Sequence, residues 1–194
     1  MSISYPLTIP SYTGFRSVDL RMVNAVAVSR SPFTLSTQAH KYAGQMWQAD
    51  ITLPAMDYIN AAKWFAWLGS LNGQYGTFLL GDPRRCTARG TAATATITGS
   101  AGSSSVTVTM TGTLLAGDCF QLGSGSTARL YMVLQDQNGS GTLEIWPALR
   151  SAASAATATL STPRGLFRLS SNEVARTADE IGRYGITFGA MEAI

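Results

Sequence analysis

The chain has 194 residues, enough for one large domain or two small ones with a core that needs no staples. Its two cysteines, Cys86 and Cys119, are too few for a disulfide framework and lack the CxxC spacing of a metal site, so both read as ordinary thiols. The net charge of +3 rests on twelve Arg and two Lys scattered singly, with Arg84-Arg85 the one doublet, which argues against a clustered nucleic-acid footprint and fits bidentate pairing across protein interfaces better.

The opening "MSISYPLTIPSY" has no basic leader and two prolines. The longest charge-free stretch, between Arg89 and Asp118, is Thr, Ser, Gly and Ala rather than a membrane span. The expectation is a chain that stays soluble in a cytoplasm. Strands come first. In "SVDLRM", Val18, Leu20 and Met22 alternate with Asp19 and Arg21. "NAVAVS" continues as a bent or bulged strand, and Pro32 marks its end or an edge. In "MWQADITLP", Trp47, Ala49, Ile51 and Leu53 share one face, and Pro54 stops the strand.

A helix over residues 58–71 follows, capped by Asp57. Ile59, Ala62, Phe65 and Ala66 form one apolar stripe; Trp64, Trp67, Leu68 and Leu71 form a broader one. With only Lys63 and Asn60 clearly polar, the helix is expected to be covered on most sides, part of it by a neighbouring subunit. Asn72-Gly73 supplies a left-handed stop, and "YGTFLLGDP" is a short buried strand ending in a turn.

From Arg84 to about Pro163 the composition turns to Gly, Ser, Thr and Ala, but it alternates and does not read as a linker. "SVTVTM" alternates strictly, "LAGDCFQLG" is a turn and a strand, and "RLYMVLQ" and "TLEIWP" flank the hairpin signal "DQNGSG". This predicts a β-module of five to seven short strands. The near-repeats "AATATI" and "AATATL" bracket it and are expected to pair and close its neck. After Pro163, "GLFRLSS" is a strand, and "RYGITFGAMEAI" sets Tyr184, Ile186 and Phe188 against Gly185, Thr187 and Gly189. The expected architecture is mainly β: a β-sandwich of residues 1–83 plus 164–194 with one α-helix, split at the Asp82-Pro83 turn by a small β-barrel or sandwich module, residues 84–163.

No arrangement for chemistry stands out. His40, the one histidine, lies in the polar stretch "STQAHKYAGQ", and a catalytic cleft would need it, Cys86 or Cys119 beside an acid. Asp19, Asp50, Asp57, Asp82, Asp118, Asp136 and Glu144 occur singly as caps, turns or polar strand positions, and "ADE" at 178–180 sits in a turn. Neither two-carboxylate hydrolysis nor a metal cluster is supported. The Gly-rich segments lack the Lys-Ser/Thr of a phosphate loop. The expectation is no enzyme, no cofactor and no metal.

The succession "SRSPFT", "WQADITLPAM", "WFAWLGSLNGQYGTFLLGDP" and "RYGITFGAMEAI", roughly residues 15–83 and 164–194, resembles distal tail proteins of long-tailed bacteriophages and related prophage and gene-transfer particles. The resemblance implies a belt-type β-sandwich domain with one helix, forming a hexameric ring that joins the tail tube protein to the tip or baseplate hub protein. It implies a place in the virion tail, assembled in the host cytoplasm, with no membrane and no sequence-specific nucleic-acid binding. Trp47, Ile51, Leu53, Phe65, Leu68 and Phe78 are then expected in the belt core, and Arg30, Phe33 and Tyr42 at a ring contact. Some members of the family carry an outward-facing second domain, sometimes carbohydrate-binding. The alternative is therefore a receptor- or carbohydrate-binding tail component, for which Tyr131 or Trp146 of the middle module would do the recognising. A structural module that widens the ring is the blander expectation.

Overall fold

A computed structural model describes residues 3–11, 14–83 and 87–194. Arg84, Arg85 and Cys86 lie outside the described residues. The protein is mainly β, a sandwich-type body with one helix and a nearly closed barrel, and every pairing between named strands is antiparallel.

The body sheet contains β1 (Ser17–Arg30), β2 (Thr37–Thr52), β3 (Thr77–Leu80), β12 (Gly165–Leu169), β13 (Arg176–Ala178) and β14 (Tyr184–Glu192). Its order is β1-β2-β14-β12-β3, with β13 pairing β14 to one side. β3 and β12 are direct neighbours, Leu80 facing Gly165, so the intervening residues replace what would be a hairpin turn. Strict alternation in β2 buries Trp47, Ala49 and Ile51, and Leu53 just beyond, on one face, while Gln48, Asp50 and Thr52 are half-exposed on the other. The register of β1 on β2 shifts between Asn24 and Val26, the bulge expected in "NAVAVS".

Helix α1 (Tyr58–Ser70) lies against the buried face. The Asp57 carboxylate accepts from the Asn60 amide, and Asn72 and Gly73 both take positive φ after the last turn. Only one stripe, Ala61, Trp64, Leu68 and Leu71, is buried. Its 3-4-3 spacing is the single face a helix presents to one sheet. The other stripe is mostly open: Ile59, Phe65 and Ala66 are exposed with Tyr58 beside them, and Ala62 is half-buried. Phe65 therefore does not belong to the core. It is 38% exposed, with the Arg176 guanidinium over its ring at 5.1 Å, because this helix has a layer on one side only. Trp47, Ile51, Leu53, Leu68 and Phe78 are all buried in the body cluster.

The middle of the chain forms β4 (Ala95–Gly99), β5 (Ser105–Met110), β6 (Thr113–Leu114), β7 (Cys119–Leu122), β8 (Arg129–Val133), β9 (Gln137–Asn138), β10 (Gly141–Trp146) and β11 (Ala153–Ala158). That exceeds the predicted five to seven strands because β6 and β9, paired with each other, are two residues long and too short to show alternation. The six longer strands run β11-β4-β5-β10-β8-β7. Gln121 and Thr159 then exchange backbone hydrogen bonds of 2.9 and 3.0 Å, bringing β7 back to the end of β11. The near-repeats do pair: Ala95, Thr96 and Ile97 face Ala158, Thr157 and Ala156.

The barrel has its own core around Ile97, Val108, Phe120, Tyr131 and Leu143. On β8 and β10, however, both faces are buried. Tyr131 and Ile145 point into the barrel, while their neighbours Leu130 and Trp146 pack in the body core. Alternation places successive side chains on opposite faces, so these strands form a wall common to both cores.

Candidate subunit interface

Beyond Asn24 on β1 and before Gln45 on β2, the hairpin leaves the body as an arm. Val26 pairs Lys41, Val28 pairs Ala39 and Arg30 pairs Thr37. All residues from Asn24 to Arg30 and from Thr37 to Gly44 are exposed, so neither face of the ribbon is covered. At about 3.3 Å per residue, the arm reaches about 20 Å from the sheet. Its tip is an ordered turn: Ser31 and Ser36 pair through a 2.9 Å backbone bond, the Ser31 hydroxyl accepts from the Phe33 and Thr34 amides, and Leu35 takes φ 57°. That turn holds Phe33 outward, 94% exposed.

Arg30 and Phe33 thus sit at or next to the tip, and Tyr42 lies near the root, edge-on to His40 with ring centres 4.7 Å apart. All three sequence-predicted contact residues are on one arm, at opposite ends of it. Val26, Val28 and Leu35 are exposed with them. A two-stranded ribbon is at best marginally stable alone, and a long uncovered edge invites pairing. Between Asp19 and Asp50 there is no acidic residue, so the arm carries only the cations Arg30 and Lys41, while Arg21 below it pairs with Asp50.

The arm root is gripped by the barrel. Trp146 Nε1 donates to Asn24 Oδ1 at 2.8 Å, and Gln45 Nε2 donates to the same oxygen at 3.1 Å. The Ala148 amide donates to Gln45 Oε1 at 2.9 Å, and Arg150 Nη2 donates to the Gln45 carbonyl at 2.6 Å. Arg150 also clasps Glu192 with both nitrogens, Nε to Oε1 at 3.1 Å and Nη2 to Oε2 at 2.7 Å, and the Trp47 amide donates to Oε2 at 3.1 Å. Glu192 is 3% exposed. Trp47 closes the joint, its indole donating to the Leu130 carbonyl at 3.0 Å and its ring edge-on to Trp146.

None of Asn24, Gln45, Arg150 or Glu192 was singled out by sequence reasoning, although two were marked. Gln45 shares the parity of Trp47, Ala49 and Ile51; Glu192 shares that of Ile186, Phe188 and Ala190. A polar group in the buried phase of an apolar alternation needs a partner.

A second uncovered apolar surface lies at the other end of β2. Tyr58, Ile59 and Phe65 of α1 are exposed there. The β13–β14 hairpin adds Ile181, 87% exposed at its turn, and Arg176, over both Phe65 and Tyr184. Tyr184 exchanges backbone bonds with Met56, which fixes the hairpin beside the start of the helix. Asp179 builds that turn, its carboxylate accepting from the Ile181 and Arg183 amides.

Asp118, 4% exposed, accepts from the amides of Arg89, Gly90 and Leu115 and from Arg89 Nε. Burial pushes its carboxyl up, but those donors outweigh it and hold the pKa below the ordinary value. Burial, assisted by Asp82 and Asp118, pushes the Cys119 thiol up to about 11. Burial also raises the Tyr131 phenol, against the Arg150 amide that donates to it. Tyr131 and Trp146 are 1% and 7% exposed, so neither offers a ring face to a sugar, which takes both residues from the carbohydrate-binding alternative. Among the described residues, no three His, Cys, Asp or Glu side chains gather where a metal ion could be held, and no helix is long and apolar enough to cross a membrane.

No family model matches the chain, and no curated protein matches it in sequence.

Proposed function

We propose that this chain is a non-enzymatic structural subunit of a long-tailed phage or related particle. In this reading it forms a ring at the distal end of the tail tube and connects the tube to the tip or hub, with the arm as a ring contact. The observation that carries the reading is the arm: a ribbon uncovered on both faces, tipped by Phe33 and lined by Val26, Val28, Leu35 and Tyr42. Apolar surface of this kind, held outward by an ordered turn, is what an assembling subunit keeps for its neighbour. The order of elements, with β3 and β12 flanking the barrel, agrees with the distal tail resemblance.

The test is assembly. Purified protein, alone and mixed with a tail tube protein, is examined by mass photometry and negative-stain microscopy. The expected result is closed rings. A monomer at every concentration, with and without the tube, would overturn the proposal.

A further inference from the structure

The arm and the helix-hairpin surface lie at opposite ends of β2, a strand of 16 residues spanning about 50 Å. One copy therefore cannot bring its own arm onto its own helix surface. We infer that the arm of one copy docks on the Tyr58, Ile59, Phe65 and Ile181 surface of the next. This inference rests on the ring reading and names the acceptor face that such a ring would use.

Three observations select a second copy as occupant. The first is charge. The arm presents Arg30 and Lys41 with no acid along it, while the acceptor end holds four exposed acids, Asp57, Glu173, Asp179 and Glu180, against three exposed cations, Lys63, Arg176 and Arg183. Arg176, a cation of that end, is drawn onto the rings of Phe65 and Tyr184, 5.1 and 5.5 Å from their centres. The second is size. From Ala25 to Gly44 the arm is on the order of the 20 residues a side that a standard interface uses. The third is chemistry. Each surface carries protruding aliphatic and aromatic side chains, Val28, Phe33 and Leu35 on one and Ile59, Phe65 and Ile181 on the other. Each stays exposed among the described residues. Two different patches on opposite ends of one molecule give a heterologous contact, which propagates from copy to copy and closes when the rotation allows.

Mixing variants of the full chain tests the pairing. Phe33→Asp removes the arm's anchor, and Ile59→Asp with Ile181→Asp spoils the acceptor. All three positions are surface sites, and circular dichroism melts check that each variant folds. Each variant alone is expected to weaken self-association by about tenfold or more, as loss of a central anchor does. Mixed together they are expected to form a dimer that grows no further, because only the acceptor variant's arm and the arm variant's acceptor remain intact. A photo-crosslinker at position 33 of an otherwise wild-type chain is expected to mark the neighbour within residues 57–67 or 173–184.

If the wild type assembles but Ile59→Asp with Ile181→Asp leaves assembly unchanged, or the crosslinks fall elsewhere, the acceptor assignment is wrong and the ring reading stands. If both variants abolish assembly but the mixture stays monomeric, the arm does not dock on this face. A wild type that never assembles overturns both.

Discussion

Replacing Glu192 by Gln tests whether the barrel is locked to the body or merely tethered. The substitution keeps the shape of the side chain but removes the charge that Arg150 clasps through two nitrogens at 3.1 and 2.7 Å. The guanidinium is then left with neutral acceptors only, the Gln45 carbonyl and one amide oxygen, in a site where the Arg150 side chain is only 14% exposed. The Trp47 amide also faces a weaker acceptor or a repelling NH2 group. Breaking one side of a buried pair costs roughly 3–5 kcal/mol, because the desolvated partner stays behind. For a chain of this size each kcal/mol lowers Tm by about 2–4 °C, so a loss of about 3 kcal/mol lowers it by about 6–12 °C. Circular dichroism melts of the full-length protein read this directly. Arg150→Met combined with Glu192→Leu removes both charges together and is expected to recover most of the loss, since apolar replacements of a whole pair are often neutral. A Tm for Glu192→Gln within about 2 °C of wild type would refute the argument, showing that the pair contributes nothing to holding the two cores together.

Trp64→Ala is expected to cost about 3–5 kcal/mol and Phe65→Ala about 1 kcal/mol, because adjacent positions of α1 lie on its buried and open faces; urea denaturation of both variants measures the contrast. Asp118 has a depressed folded-state pKa, so its stabilisation is present above the ordinary carboxylate value and lost as pH falls through the folded one. Asp118→Asn is expected to destabilise the protein at pH 7 and to flatten the fall in Tm below about pH 4 expected of the wild type. With its thiol near 11, Cys119 is expected to react with iodoacetamide at pH 8 on the order of a hundredfold more slowly than a free thiol, as read by peptide mass mapping.

Alternation made most strands legible. Wherever one face is buried and the other open, as in Trp47 to Leu53 or Ser105 to Met110, the period of two fixes both the element and its orientation. The pairing of the near-repeats was legible because two matching alternating segments bracketed a change of composition. The helix was legible as an element but not in its burial. Apolarity all round predicts cover on most sides, part of it from a neighbouring subunit, whereas within this chain Ile59 and Phe65 stay exposed among the described residues. Sequence apolarity reports what a residue would prefer to touch, not whether its own chain supplies the contact. The same gap hid the shared wall. In β8 and β10 consecutive buried residues serve different cores, and "LYMV" cannot say that Leu130 and Tyr131 face different partners. The network at the arm root was hidden for another reason. Its members come from Asn24, Gln45, Trp146, Arg150 and Glu192, which meet only once two bodies have packed.

That joint bears on what the barrel is for. A receptor-reading appendage works best when its recognising residues face outward and its attachment is a flexible neck. Here the barrel turns Leu130, Trp146 and its half-buried neighbour Met132 toward the body, while its own core keeps Tyr131 inside. Swinging it away would expose Trp47 and leave Glu192 and Arg150 without each other. It would also strip Asn24 and Gln45 of the contacts that hold them where the arm begins. Every element that aims the arm is thus tied to the barrel by a named hydrogen bond or a shared wall. In the proposed ring, a barrel so attached would buttress the arm against a neighbouring copy, which favours a structural module over recognition by the barrel itself.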